Sequence, residues 1–166
     1  MKIKEVIQAW RAAKRLAKRR RKASNGSSQT TNLPTVVFGK LLKEKGFRYL
    51  DCGAFKTTYH KDGVDFVVKI YESDEYVDDA GFVRFKFRDY YLAPLYQDSG
   101  IVIQPKADTS DRYGAIDSLV EIFGRKYLNY FDIHEFNVGH RGGKPVIFDF
   151  EHSGRYVTRG LTKFIQ

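Results

Sequence analysis

The sequence predicts an α+β fold: an antiparallel five-stranded sheet carrying one helix, then a smaller helical region, the whole preceded by a basic helix. Three observations lead there. Short β-branched or aromatic runs alternate with turn signals between residues 47 and 104. Apolar residues then recur at helical spacing between 116 and 128. Finally, the first 22 residues hold ten Lys/Arg against Glu5, so they carry the whole net charge of +9. With 166 residues, 42% hydrophobic and 15% aromatic, the chain can build a core.

Ile3, Val6, Ile7, Trp10, Ala13, Leu16 and Ala17 recur every three or four residues and mark one face of a helix over 1–22. Arg11, Lys14, Arg15, Lys18, Arg19, Arg20, Arg21 and Lys22 supply the basic remainder, a candidate contact for nucleic acid or an acidic protein partner. A membrane surface, or docking onto the rest of the chain, would use the same residues. The polar, Ser/Gly-rich stretch 23–34 is expected to be a flexible linker closed by Pro34. The main domain is then 35–166, divided at about 104/105.

Thr35 to Gly46 has the apolar spacing of a short helix stopped by Gly46. Phe47–Leu50 and Thr57–His60 are expected strands, as is Val64–Tyr71 after the tight turn Lys61-Asp62-Gly63. A helix is expected over Ala80–Tyr91. Strands over Leu92–Gln97 and Ile101–Gln104 follow, joined through Asp98-Ser99-Gly100. Asp111 is a candidate cap for a helix from Ile116 to about Leu128. Phe136–Gly139 and Pro145–Phe150 form a last strand pair.

Cys52 is the only cysteine, which excludes an internal disulfide and a multi-thiolate metal site. His60, His134, His140 and His152 show no zinc spacing. No apolar run is long enough to cross a bilayer and the start lacks secretory character, so a cytoplasmic location is expected.

Four segments fall in an informative order. Gly53-Ala54-Phe55-Lys56-Thr57-Thr58-Tyr59 turns between two strands, and Lys69 lies within the third. Asp132-Ile133-His134-Glu135-Phe136-Asn137 follows a helix, and Asp149-Phe150-Glu151 ends a strand. In this order they resemble the protein-kinase-like fold over about residues 47–152. The Asp-x-His-x-x-Asn stretch is similar to that of aminoglycoside- and choline-kinase-like enzymes. It is also similar to the early serine/threonine kinases of short-tailed bacteriophages, as are F-R-Y-L-D-C-G-A-F-K-T-T-Y and P-V-I-F-D-F.

The resemblance implies an N-lobe over about 35–104 and a reduced helical C-lobe over about 105–166. It implies ATP and Mg²⁺ as cofactors, with Gly53, Lys56, Thr57 and Lys69 on the nucleotide. Asn137 and Asp149 would hold the metal, and Asp132 would take the proton of the attacking hydroxyl. These residue types suit the chemistry, because phosphoryl transfer depends on positioning and charge neutralisation and Mg²⁺ prefers oxygen ligands. The implied protein is a minimal serine/threonine kinase directed at host proteins in the host cytoplasm, or at its own linker hydroxyls. The other expectation is a kinase-like binding module without transfer, and the last is an α+β protein whose motifs coincide by chance.

The sequence also departs from the kinase pattern. Asp51 stands where the nucleotide loop has its first glycine, and Tyr130-Phe131 precede Asp132 where most protein kinases have His-Arg. No glutamate lies between Ala80 and Tyr91 to pair with Lys69, leaving Glu75, Asp78 or Asp79. Glu151 replaces a glycine, and fifteen residues follow it, too few for a full lower lobe.

Overall fold

A computed structural model describes residues 1–23, 33–52, 56–71, 87–131 and 133–149 of the chain. They form a mixed α+β protein with a five-stranded antiparallel sheet, a separate two-stranded sheet and four helices. The chain divides into two compact units, Met1–Val77 with Pro94–Pro105, and Asp78–Ala93 with Lys106–Gln166.

In the first unit, helix α1 spans Ile3–Ala23 and α2 spans Pro34–Glu44. The strands are β1 (Arg48–Cys52), β2 (Lys56–His60), β3 (Phe66–Tyr71), β4 (Tyr96–Asp98) and β5 (Ile101–Pro105). Their spatial order is β1-β2-β3-β5-β4. Pro34 starts α2, where a missing N–H costs nothing. The helix ends in paired reverse bonds, with Phe47 N–H donating to the Leu42 carbonyl at 3.0 Å and Gly46 N–H to Lys43 at 2.9 Å.

Side chains alternate across β3 and β5. Phe66, Val68, Ile70, Ile101 and Ile103 join Val37, Phe38 and Leu42 of α2 in one core. Val6, Ala9, Trp10, Ala13 and Ala17 of α1 belong to that same core. Residues 1–22 are therefore no arm beside an independent domain: the apolar stripe of the helix is a packing face. Alanines at 9, 13 and 17 let the helices approach closely, and Trp10 meets Phe38 edge-to-face at 5.3 Å.

Asp98 at the end of β4 fastens α1 to the sheet. Its Oδ2 accepts from Trp10 Nε1 at 2.8 Å, Lys14 Nζ at 2.6 Å and the Tyr96 hydroxyl at 3.1 Å. Burial alone would raise the Asp98 pKa. The bonds from Lys14, Trp10, Ser99 and Tyr96 outweigh that and bring it to about 2. The folded value lies below the ordinary 3.8, so the stabilisation, about 2 kcal/mol, is complete above roughly pH 4 and is lost as pH falls towards 2. An Asp98→Asn variant is expected to be less stable near neutrality by a similar amount. Acid melts of the two proteins should converge towards pH 2, and parallel acid profiles would contradict this.

In the second unit, α3 (Arg112–Phe123) and α4 (Arg125–Tyr130) pack on the hairpin of β6 (Val138–Arg141) and β7 (Lys144–Ile147). Asp111 caps α3 by accepting from Gly114 N–H at 2.9 Å. The single helix expected to about Leu128 is broken at Gly124, whose φ of 84° no helical residue adopts. Residues 87–91, expected to end a helix, instead make a turn and one bridge from Tyr91 to Ile147. The reason is aromatic: Phe87 is buried among Phe123, Tyr127 and Phe131, with ring centroids 5.0, 5.8 and 5.4 Å away. This places 87–93 in the second unit, where the sequence suggested an unbroken 35–104 lobe. The strand expected from Leu92 begins only at Tyr96.

Gly139 pairs its strand closely with the 106–108 segment. A Cβ there would sit 2.5 Å from the Asp108 carbonyl oxygen, which the Asp108–His140 bridge holds in place. Gly139→Ala is expected to lower stability by about 1–3 kcal/mol in denaturant unfolding.

Candidate functional site

Lys69 lies in β3 and is 4% exposed. Alternation puts it on the sheet face opposite the α1–α2 core. There it shares a row with Thr58 of β2 and Val102 of β5, and Gln104, 1% exposed, occupies the same face beside Val67. Burying an ammonium in an apolar strand is costly unless charge and hydrogen bonds answer it. The residue is thus held for an electrostatic task, either in the fold or on an anionic ligand.

The register sorts the remaining nucleotide candidates. Lys56 pairs with Tyr71 and falls on the Lys69 face, two residues along the strand. Thr57 pairs with Ile70 and falls on the other face. It lines a cleft of about 360 Å³ with Thr35, Lys40, Lys43 and Tyr59, against α2. Thr57 and Lys69 thus point to opposite faces of the sheet, and Thr58 is the hydroxyl on the Lys69 row. Gly53 lies outside the described residues, as does Asp132.

Asp51, already a departure from the glycine pattern in the sequence, joins this row. Between Tyr49 and Asp51 the β1–β2 register slips by one, so Asp51 pairs with Thr58. The bulge moves a carboxylate onto the Lys69 face, two strand spacings or about 10 Å away in the backbone. Among Glu75, Asp78, Asp79 and Asp51, only Asp51 falls within the described residues. Its departure from the glycine pattern thus puts negative charge on the face that carries Lys69.

Asn137 and Asp149, twelve residues apart in sequence, are brought together in the second unit. Asp149 N–H donates to the Asn137 carbonyl at 3.3 Å, and Phe148 N–H donates to it at 3.0 Å. The β6–β7 hairpin causes this: its two-residue turn folds the chain back so that the residue before β6 meets those after β7. Asn137 is 5% exposed, and its amide lies 3.2 Å from His134 Nε2. Asn137 N–H closes the turn onto the His134 carbonyl at 2.9 Å, while His134 Nδ1 accepts from Phe136 N–H at 3.3 Å. His134 thereby sets the rotation of the Asn137 amide, a role its three-residue spacing permits but does not reveal.

An amide oxygen and a carboxylate are the hard donors that Mg²⁺ takes, usually one or two from protein with water and phosphate completing the shell. By type the two side chains suit that ion, while the contact that joins the residues runs through the backbone. Among the described residues no three His, Cys, Asp or Glu side chains gather into a metal-binding cluster. No helix among them is long and apolar enough to cross a membrane.

Of the basic residues proposed for partner contact, Lys14 is committed to Asp98, and Arg11 lies against the Tyr96 phenol. Arg15, Lys18, Arg19, Arg20, Arg21 and Lys22 are exposed. No family model and no curated protein sequence matches this chain.

Proposed function

We propose that the chain is a minimal kinase-like phosphotransferase that moves the terminal phosphoryl group of ATP to a serine or threonine hydroxyl. The observation that carries the reading is the backbone bond that brings Asn137 and Asp149 together at the end of the β6–β7 hairpin, the two residues whose side-chain oxygens the kinase-like pattern reserves for Mg²⁺. The buried Lys69 adds the cation for the nucleotide phosphates.

In this reading Lys69 and Lys56 neutralise phosphate charge, and Asn137 and Asp149 would hold Mg²⁺, which would supply positive charge for the transferred group. Asp132 orients the acceptor hydroxyl and takes its proton. The acceptor is a host protein of an infecting phage, or Ser24, Ser27, Ser28, Thr30 or Thr31 of the chain itself. Phosphate at those positions would offset the adjoining basic run.

One observation favours a second reading, a kinase-like binding module without transfer. Asp51 stands on the Lys69 row, where its charge opposes approaching phosphates. Incubation with γ-labelled ATP, Mg²⁺ and either the chain alone or a mixed acceptor protein separates the two. Label on Ser or Thr supports the enzyme, and its absence, with ATP binding retained, supports the module.

A further inference from the structure

We propose that the outward face of α1 is a binding surface for the phosphate backbone of duplex nucleic acid, engaged without regard to base sequence. The inference rests on how α1 docks and is independent of phosphoryl transfer.

A basic amphipathic helix has three common uses, and burial separates them. Lying in a membrane interface requires the apolar stripe, but Val6, Trp10 and Ala13 are 0–1% exposed within the core of the first unit. Gripping an acidic protein groove calls for aromatic or aliphatic anchors. The sole aromatic of α1 is Trp10, which faces inward and is bonded to Asp98. Leu16, 37% exposed, is the one large aliphatic left outward, and the rest of that surface is mainly charge. Lys4, Arg11, Arg15, Lys18 and Lys22 are exposed and recur at intervals of seven, four, three and four residues, close to whole helical turns. They form one stripe about 27 Å long, at 1.5 Å per residue. The only acid of the helix, Glu5, lies off this stripe and accepts from the Lys2 N–H at 3.0 Å.

A duplex presents one charge per about 1.7 Å of its axis, so a fixed row of cations lies in a strongly negative field along its whole length and meets phosphates where the backbones cross it. Docking makes the row rigid: the core contacts and the Asp98 clamp hold the helix before any ligand arrives. Gln8 is the one amide beside the cations and no aromatic accompanies them, so the contact is chiefly electrostatic and only weakly dependent on sequence.

The test uses the full chain and fluorescence anisotropy with two labelled duplexes of unrelated sequence, each about 20 bp, from about 50 to 300 mM NaCl. Both duplexes should bind alike, with log K falling against log salt at a slope of about −4.5. An Arg15→Gln, Lys18→Gln, Lys22→Gln triple variant should reduce that slope by about 2.7 while keeping its melting temperature. The charge-preserving triple Arg15→Lys, Lys18→Arg, Lys22→Arg should bind as the parent does. The proposal is overturned by no duplex binding at low salt, by a slope the glutamine variant leaves unchanged, or by marked preference for one duplex. It is overturned equally if polyglutamate or anionic vesicles are bound through these residues and the duplexes are not.

Discussion

Replacing Lys69 with methionine is expected to lower phosphoryl transfer from ATP by about 10²–10³-fold, and Asp149→Asn to do the same. Both substitutions preserve shape. Methionine fills the space of the buried lysine stem and removes only its charge. Asparagine at 149 keeps the backbone bond to Asn137 and one side-chain oxygen, but removes the negative charge that attracts a divalent cation. Single-turnover transfer of labelled phosphate, with melting curves for both variants, is the measurement. Transfer that survives both changes would remove these residues from the mechanism.

The largest effect on stability is expected at Trp10. It is 1% exposed, stacks edge-on against Phe38 and donates to Asp98. Trp10→Ala leaves a cavity in the shared core and should cost about 3–5 kcal/mol, read from the urea midpoint of unfolding. Much of that loss arises because Phe38 and Leu42, both fully buried, lose the surface they pack against. Deleting residues 1–22 should be more severe still, leaving the α2 face uncovered. Such a deletion cannot report cleanly on nucleic-acid binding, which is why surface substitutions on the outer face of α1 are the informative variants. If the deletion melts like the parent protein, α1 is not part of the core.

Much of the first unit was legible because its signals are local. Alternating apolar residues in 66–70 and 101–103, with turn residues at 61–63 and 98–100, define strands and their connections without long-range knowledge. The destination of α1 was not legible. Its apolar stripe is visible, but ten cations dominate the composition, and nothing local says that Ala9, Ala13 and Ala17 meet α2. The 87–91 segment misled in the same way, since Phe87 answers to an aromatic cluster whose other members lie 36 or more residues away.

At the candidate site, the short β6–β7 hairpin brings the backbones of Asn137 and Asp149 together. Which face of the sheet each residue takes was not legible, for a geometric reason. Strand parity turns on single residues, so Thr57 and Thr58 exchange roles, and a bulge after Tyr49 moves Asp51 onto the Lys69 row. No composition or motif records such a slip.

Calorimetric titration of the full chain with ATP, with and without Mg²⁺, tests the proposed function most directly. Binding that tightens with the metal, weakens in Lys69→Met and loses its metal dependence in Asp149→Asn is the expected result. ATP affinity that is negligible, or indifferent to magnesium and to both substitutions, would contradict it.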